Sequence, residues 1–155
     1  MRVLICAVGK MRAGAERDLL DDYLTRFDRT GRNLGLGPVE VIEVEAKKPG
    51  KAEEAALLLK ALPKNPVICA MDERGKVMTS PQFSDMMANV RDAGNGDLCF
   101  VIGGADGLDH ELRQQAQHVL SFGKMVWPHM LARVMLAEQL YRGASILAGL
   151  PYHRV

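Results

Sequence analysis

Toward its carboxyl end the chain gathers side chains suited to proton transfer, anion binding and stacking. They are His129, Arg133, Arg142, Tyr152, His153 and Arg154. A histidine accepts a proton near neutral pH, an arginine grips a phosphate, and a tyrosine ring stacks on an unpaired base. The tail Pro151-Tyr152-His153-Arg154 holds all three kinds together, which suits a base splayed out of an RNA loop. His153, in a polar tail, is the candidate general base. His129 follows Pro128 at a helix start, where capping the helix or orienting the loop accounts for it as well. Arg133, Arg142 and Arg154 are candidates for binding phosphates or for neutralising a developing anion. Ion pairing at a dimer interface, with Glu138 as a partner, is the plain alternative.

A second set of residues could hold a ligand through the backbone. The apolar run 98–102 breaks at Gly103-Gly104-Ala105-Asp106-Gly107. Two more loops, 71–76 and 122–128, also follow apolar runs. In open α/β sheets ligands bind outside the carboxyl ends of strands. The three loops together would form a slot of main-chain amides with apolar walls from Met71, Met125 and Trp127, fit for a flat heterocycle. Glycines lack a Cβ, so the backbone can approach a ligand closely. A tight strand-to-helix turn explains them too. Their spacing is not the dinucleotide fingerprint, and no phosphate-binding GK[ST] motif occurs.

These residues need a scaffold, and the periodicities supply one. Residues 2–8 read as the first strand, 9–14 as a loop with Lys10 and Arg12, and 15–28 as a helix with Leu19, Leu20, Tyr23, Leu24 and Phe27 on one stripe. Residues 30–38 carry glycines and a proline and read as loop. Residues 39–45 read as an edge strand, bulged at the phase slip Val41-Ile42. Lys47, Lys48 and Lys51 surround Pro49-Gly50, as either a solvated turn or a phosphate-contacting loop. A helix over 51–62, a buried strand over 67–71 and a loop over 72–76 follow. Ser80 as cap with Pro81 in the first helical position starts another helix. Phe83, Met86, Met87 and Val90 are its core stripe. Asp109 is the expected cap of the helix that includes Leu112 and Ala116. The helix that starts near His129 is apolar on more than one face, and a homodimer partner is the simplest cover for its second face. Alternating strands and helices predict an α/β fold: one domain over 1–155, with a mostly parallel sheet and helices on both faces.

Composition removes other classes. The chain has 155 residues, 48% apolar and 25% charged, with net charge +1. Nucleic-acid binding would therefore rest on a local basic patch or a dimer surface rather than a global field. Cys6, Cys69 and Cys99 each lie inside an apolar run and lack zinc spacing, so they read as buried free thiols of a reducing cytoplasm, with no metal. The first apolar run is too short for a signal-peptide core, and no run is long enough to span a membrane.

Several motifs are similar in combination to one family. Val8-Gly9-Lys10, Met71-Asp72-x-x-Gly75-Lys76, Ile102 to Gly107, Ser121-Phe122-Gly123-Lys124-Met125, Pro128-His129-x-Leu131-x-Arg133, Glu138-x-x-Tyr141-Arg142 and Pro151 to Arg154 resemble the ribosomal RNA large subunit methyltransferase H family over essentially the whole chain. The resemblance implies a SPOUT-type fold with a C-terminal trefoil knot, S-adenosylmethionine as methyl donor, and a homodimer. It implies N3-methylpseudouridine in 23S rRNA of the assembled ribosome as product. The cofactor residues would be Met71, Gly103, Gly104, Phe122, Gly123, Lys124, Met125, Val126, Trp127 and Pro128. Tyr152, His153, Arg154 and Arg142 would serve catalysis. Met71 and Trp127 stand where the family more often has leucine, or leucine or phenylalanine; both remain apolar. A non-catalytic ribosome-binding protein with the same basic tail, or a nucleotide-using enzyme of another kind, are the competing expectations. Binding of S-adenosylmethionine separates the methyltransferase from both.

Overall fold

Alternation along the first strand decides the layering. Val3, Ile5 and Ala7 enter one hydrophobic core, while Leu4 and Cys6 enter another on the opposite face. The same division holds in the central strand, where Leu98, Phe100 and Ile102 oppose Cys99 and Val101. Both faces are dry, so the strands read as continuous apolar runs.

The structure, a computed structural model, describes residues 1–154. Strands β1 (Val3–Val8), β2 (Val39–Val44), β3 (Pro66–Val77), β4 (Asp97–Ile102) and β5 (His118–Ser121) form one parallel sheet in the order β2-β1-β4-β3-β5. Helices α1 (Ala15–Gly31), α3 (Ser80–Ala93) and α5 (His129–Leu147) supply the first core with Phe27, Phe83, Met87, Leu136 and Leu140. Helices α2 (Lys51–Ala61) and α4 (His110–Gln115) cover the other face with Leu58 and Leu112. The expected α/β architecture is therefore present.

Local details differ from the sequence reading for identifiable reasons. α1 runs through Thr30 to Gly31 and continues as a 3-10 turn over Arg32–Leu34, so the loop is shorter than expected. A glycine weakens a helix but does not end one whose other residues are packed. β2 is an edge strand, as expected, but pairs residue for residue with β1 from Val39 to Val44 and has no bulge. The irregularity lies in β3. Met71 and Lys76 both stand opposite Leu120, so residues 72–75 bulge out of a strand that then resumes. The expected loop is thus an interruption, and Gly75 makes it possible: a Cβ there would lie 2.6 Å from the Val119 carbonyl. Thr79, not Ser80, caps α3. Its hydroxyl accepts from the Gln82 N–H, and the Gln82 side chain accepts from the Thr79 N–H, a reciprocal box that moves Pro81 to the second helical position. Asp109 caps α4 by accepting from the Glu111 N–H, and Ala116 lies just past its end.

The wide apolar surface of α5 is covered mostly by its own chain. Leu136, Leu140 and Ala144 face the sheet side, and Val134 and Ala137 pack with Met11 and Leu20. Gly143 meets the Met87 methyl of α3 so closely that a Cβ would collide with it, and the Ser84 hydroxyl donates to the Gly143 carbonyl at 2.9 Å. Packing within one chain thus buries most of the wide apolar surface of α5, while Leu131 is exposed and Met130, Met135, Tyr141 and Ile146 are half-buried. Leu140 is fully buried within the chain. Leu140→Ala is expected to lower unfolding free energy by about 2–5 kcal/mol. Leu140→Glu, by burying an unpaired charge, is expected to give an unfolded chain by circular dichroism, not a folded monomer.

Candidate active site

The loops at the carboxyl ends of β3, β4 and β5 enclose a cavity of about 410 Å³. Met71, Ile102, Leu120, Phe122, Met125, Val126 and Trp127 give it apolar walls, and Asp72, Glu73 and Asp106 give it acidic ones. Gly103 turns the chain so tightly that a Cβ would lie 2.6 Å from the Gly107 carbonyl oxygen. Gly104 lies against the Glu54 carboxylate of α2 and pairs with Gly107 across the turn. The loop after β5 is folded on itself: Ser121 Oγ exchanges hydrogen bonds with the Gly123 backbone, and the Trp127 indole N–H donates to the Phe122 carbonyl at 3.4 Å. Its tip is open to solvent, with Met125 73% and Val126 84% exposed. At the bulge, Asp72 accepts from the Arg74 N–H and guanidinium and stands 3.7 Å from Arg113 Nε. Burial opposes ionisation of Asp72, but these cations outweigh it and hold its carboxyl below the usual value.

Behind the cavity lies a buried cation that sequence reasoning misplaced. Arg133 is completely buried. Its guanidinium donates to Glu43 Oε2 at 2.6 Å, to the Gly9 carbonyl at 2.8 Å and to His129 Nε2 at 2.9 Å. It is therefore shut away from RNA, and its carboxylate partner is Glu43 of β2, not Glu138. Arginine has donors only, so His129 Nε2 accepts and the ring proton sits on Nδ1. Burial, and then the Arg133 charge, push the His129 pKa down, against a hydrogen bond with the Gly103 backbone. His129 makes no cap hydrogen bond. It orients the loop, joining the start of α5 to the glycine turn of the cavity.

The tail is ordered. Tyr152 packs against Tyr141 as a tilted ring pair, 4.5 Å between centroids and 51° between planes, lies 4.8 Å from the Arg142 guanidinium, and donates its hydroxyl proton to Glu138. Arg142 donates to the same Glu138 oxygen and to His153 Nδ1 at 3.2 Å. As held, His153 spends its acceptor nitrogen on Arg142 and presents Nε2–H as a donor. Burial, then the Glu138 carboxylate, raise the Tyr152 pKa. Arg154 is exposed.

Residues 1–153 match the model of a family described as "Predicted SPOUT methyltransferase". Over its whole length the chain is 70% identical to a protein of Dinoroseobacter shibae named Ribosomal RNA large subunit methyltransferase H, which is covered completely. The chain belongs to the ribosomal RNA large subunit methyltransferase H family of SPOUT methyltransferases. A relative of the same name from Cereibacter sphaeroides is 58% identical, again over 100% of both chains. Among solved structures, a methylase family protein of Haemophilus influenzae Rd KW20 superposes with TM-score 0.53 at 11% identity, covering 99% of this chain and 70% of the other. At that identity the likeness speaks for the fold.

For this SPOUT methyltransferase, the structure brings Met71, Gly103, Gly104, Phe122, Gly123, Met125, Val126 and Trp127 to one cavity. Lys124 and Pro128 stay outside its lining; Lys124 is exposed on the loop and Pro128 precedes the first turn of α5. None of Arg142, Tyr152, His153 or Arg154 lines the cavity. Glu138 lies nine positions beyond His129 along α5, a rise of about 13 Å. Asp72, Glu73, Asp106 and Glu43 were missed. Asp72 sits in the quoted Met71-Asp72 motif, but its burial comes only from the bulge. The three cysteines are buried and free, with burial pushing the Cys6 thiol up to about 11 and Cys69 and Cys99 to about 12.

Glu43 yields a pH prediction. Burial works against its ionisation, but the Met11 N–H and Arg133 outweigh it and hold the carboxyl below its ordinary 4.5. The stabilisation is full above 4.5 and is lost as pH falls through the depressed folded value. Glu43→Gln is expected to cost about 2–3 kcal/mol at neutral pH, less than a fully buried pair because Glu43 is a quarter exposed. In denaturant unfolding across pH, the variant should show a flatter acid limb than the parent.

Proposed function

We propose that this chain transfers a methyl group from S-adenosylmethionine to N3 of a pseudouridine in 23S rRNA, acting as a homodimer on the assembled ribosome in the cytoplasm. The observation that carries this reading is the 70% identity, over 100% of both chains, to a protein named for large-subunit ribosomal RNA methylation. The cavity supports the cofactor. Its size lies in the range of small-molecule sites, and its apolar walls and glycine turn suit a flat heterocycle met by main-chain groups. Met71, Gly103, Gly104, Phe122, Gly123, Met125, Val126 and Trp127 would hold it, with Lys124 and Pro128 shaping the loop from outside.

When bound, S-adenosylmethionine supplies an electrophilic methyl group on a positively charged sulfur. The work left to the chain is placement: the target nitrogen must stand in line behind that methyl. The exposed tip Met125-Val126-Trp127 would cover the mouth and keep water out. N3 must also lose its proton, which passes to solvent water as the ring anion forms. The Arg142 and Arg154 charges suit an anion developing on the uracil ring, and the outward Nε2–H of His153 suits a ring oxygen. His153 in this conformation is a better donor and positioning group than base. In one chain, tail and cavity do not share a lining, so a partner copy bringing its tail to the cavity is the natural completion, and this supports the homodimer. The knotted C-terminal path implied for the family belongs to the same proposal. It is supported by the crossing of β5 beyond β3 and the return of α5 to β1 and β2 through Arg133.

Ribosomes from a strain lacking the endogenous enzyme should gain one methyl group at a pseudouridine, located by mass spectrometry; no gain refutes the reading. Gly104→Val, which displaces Glu54, is expected to abolish S-adenosylmethionine binding in calorimetry while the fold persists. Deleting residues 152–155 should abolish methylation with cofactor affinity kept within about threefold. His153→Ala, which spares the Tyr152 packing, should weaken apparent ribosome affinity and leave the pH–rate profile unchanged in shape. A flattened profile would assign His153 as the base.

A further inference from the structure

With net charge +1, the chain has no global field to attract RNA, so the placement of its unpaired cations decides where RNA can be held. Many arginines are spoken for: Arg2, Arg17, Arg26, Arg74, Arg91, Arg133 and Arg142 each face a carboxylate. Among the described residues, Lys10, Arg12, Lys47, Lys48 and Lys51 form no ion pair and are exposed; Arg29, Arg32, Lys60, Lys64, Lys76, Lys124 and Arg154 are likewise exposed and unpaired, but they are dispersed over other elements.

The sheet puts the first five together. β1 and β2 pair in parallel up to Val8 and Val44, and the Gly9 N–H donates to the Val44 carbonyl at 2.9 Å. Loop 9–14 and loop 45–50 therefore leave the sheet side by side. β1 also pairs with β4, as Ala7 with Ile102, and the turn after β4 is a wall of the cavity. Along this edge the order is lysine loop, Lys10–Arg12 loop, cavity. Two strand spacings, about 10 Å, separate the first from the last.

This rim is built, not a loose fringe. Arg133 holds the Gly9 carbonyl, Glu43 holds the Met11 N–H at 2.6 Å, and the Met11 side chain is buried with Leu20 and Val134. Lys10 and Arg12 flank that anchor and are displayed outward from it. On the neighbouring loop, Lys51 is the first residue of α2, where the helix dipole disfavours a cation, and Gly50 supplies no side-chain cap. Lys47 and Lys48 lie on the loop that leads into that helix. Glu45, Glu53 and the first-turn acids of α1, Glu16 and Asp18, lie nearby but pair with none of the five. The first turn of α2 also carries Glu53 and Glu54, but neither forms an ion pair with the three lysines, which are left free to face an external anion.

We propose that loops 9–14 and 45–50, with Lys51, form a docking ledge for the RNA sugar–phosphate backbone beside the cavity. The proposal rests on the RNA reading above and adds a surface apart from both cavity and tail. Lysine-phosphate contacts carry register and affinity but no base identity. The ledge therefore holds the flanking strand while cavity and tail act on the target base.

The test is salt-dependent kinetics on ribosomes with Lys47→Gln/Lys48→Gln/Lys51→Gln and with Lys10→Gln/Arg12→Gln, alongside calorimetry of S-adenosylmethionine and thermal melting. Each variant is expected to raise ribosome KM roughly tenfold or more near physiological salt. The slope of log affinity against log salt should become shallower by about one unit per lost contact. Turnover at saturation, cofactor affinity and melting should match the parent. Unchanged KM and slope in both variants overturn the ledge, as does a fall in turnover with an unchanged slope. If the parent itself does not methylate ribosomes, the functional reading fails. The ledge is then judged by ribosome cosedimentation over the same salt series, where equal parent and variant slopes reject it.

Discussion

The buried Arg133–Glu43 pair is the constraint on which the working edge of this protein depends. A guanidinium with no solvent exposure is tolerated only when its charge is matched and its donors are filled. Here the filling groups come from places far apart in sequence: Glu43 from β2, the Gly9 carbonyl from the end of β1, and His129 from the start of α5. Because each group is needed to satisfy the same cation, α5 can dock in only one position against the strand ends. His129 then passes that registration to the glycine turn after β4. One interaction thus ties a basic loop, a helix start and a cavity wall into a common frame.

Close backbone approach is the second means by which the frame is kept. Gly75 lets the interrupted strand β3 run against β5, Gly103 lets the cavity turn close, and Gly143 lets α5 sink onto Met87 of α3. In each case a Cβ would occupy space already filled. The tight-turn reading holds for Gly103, which the turn itself requires, whereas a Cβ at Gly104 would meet only the movable end of Glu54.

Charge is divided along the sheet edge. Unpaired cations stand over β1 and β2, acidic groups line the cavity over β3 and β4, and the tail bundles Arg142, Tyr152 and His153 around Glu138. A near-neutral chain in this way keeps exposed cations and acidic groups on separate stretches of the same sheet edge, with Arg74 beside Asp72 the one basic side chain in the cavity lining apart from His129. The tail is pre-arranged by a tilted aromatic pair and a shared carboxylate, so its donors are already fixed in place.

Much of this was legible in the amino-acid order, because strands and helices impose periodicities that need no tertiary knowledge. The alternating elements, the two-sided sheet and most of the residues that line the cavity follow from apolar runs that end in glycine-rich turns. The motifs from Met71 to Arg154 also carried the family. Three things were decided only by the tertiary structure. The apolar breadth of α5 signalled deep burial, but only packing distinguishes burial against α1 and α3 from burial against a second copy. Arg133 looked like a ligand for phosphate until Glu43, 90 residues away, closed over it. The tail and cavity, adjacent in any list of motifs, lie on different linings, because a helix of fixed rise separates them. Sequence patterns report what each residue prefers locally; which distant group meets that preference depends on the one packing that satisfies all of them together.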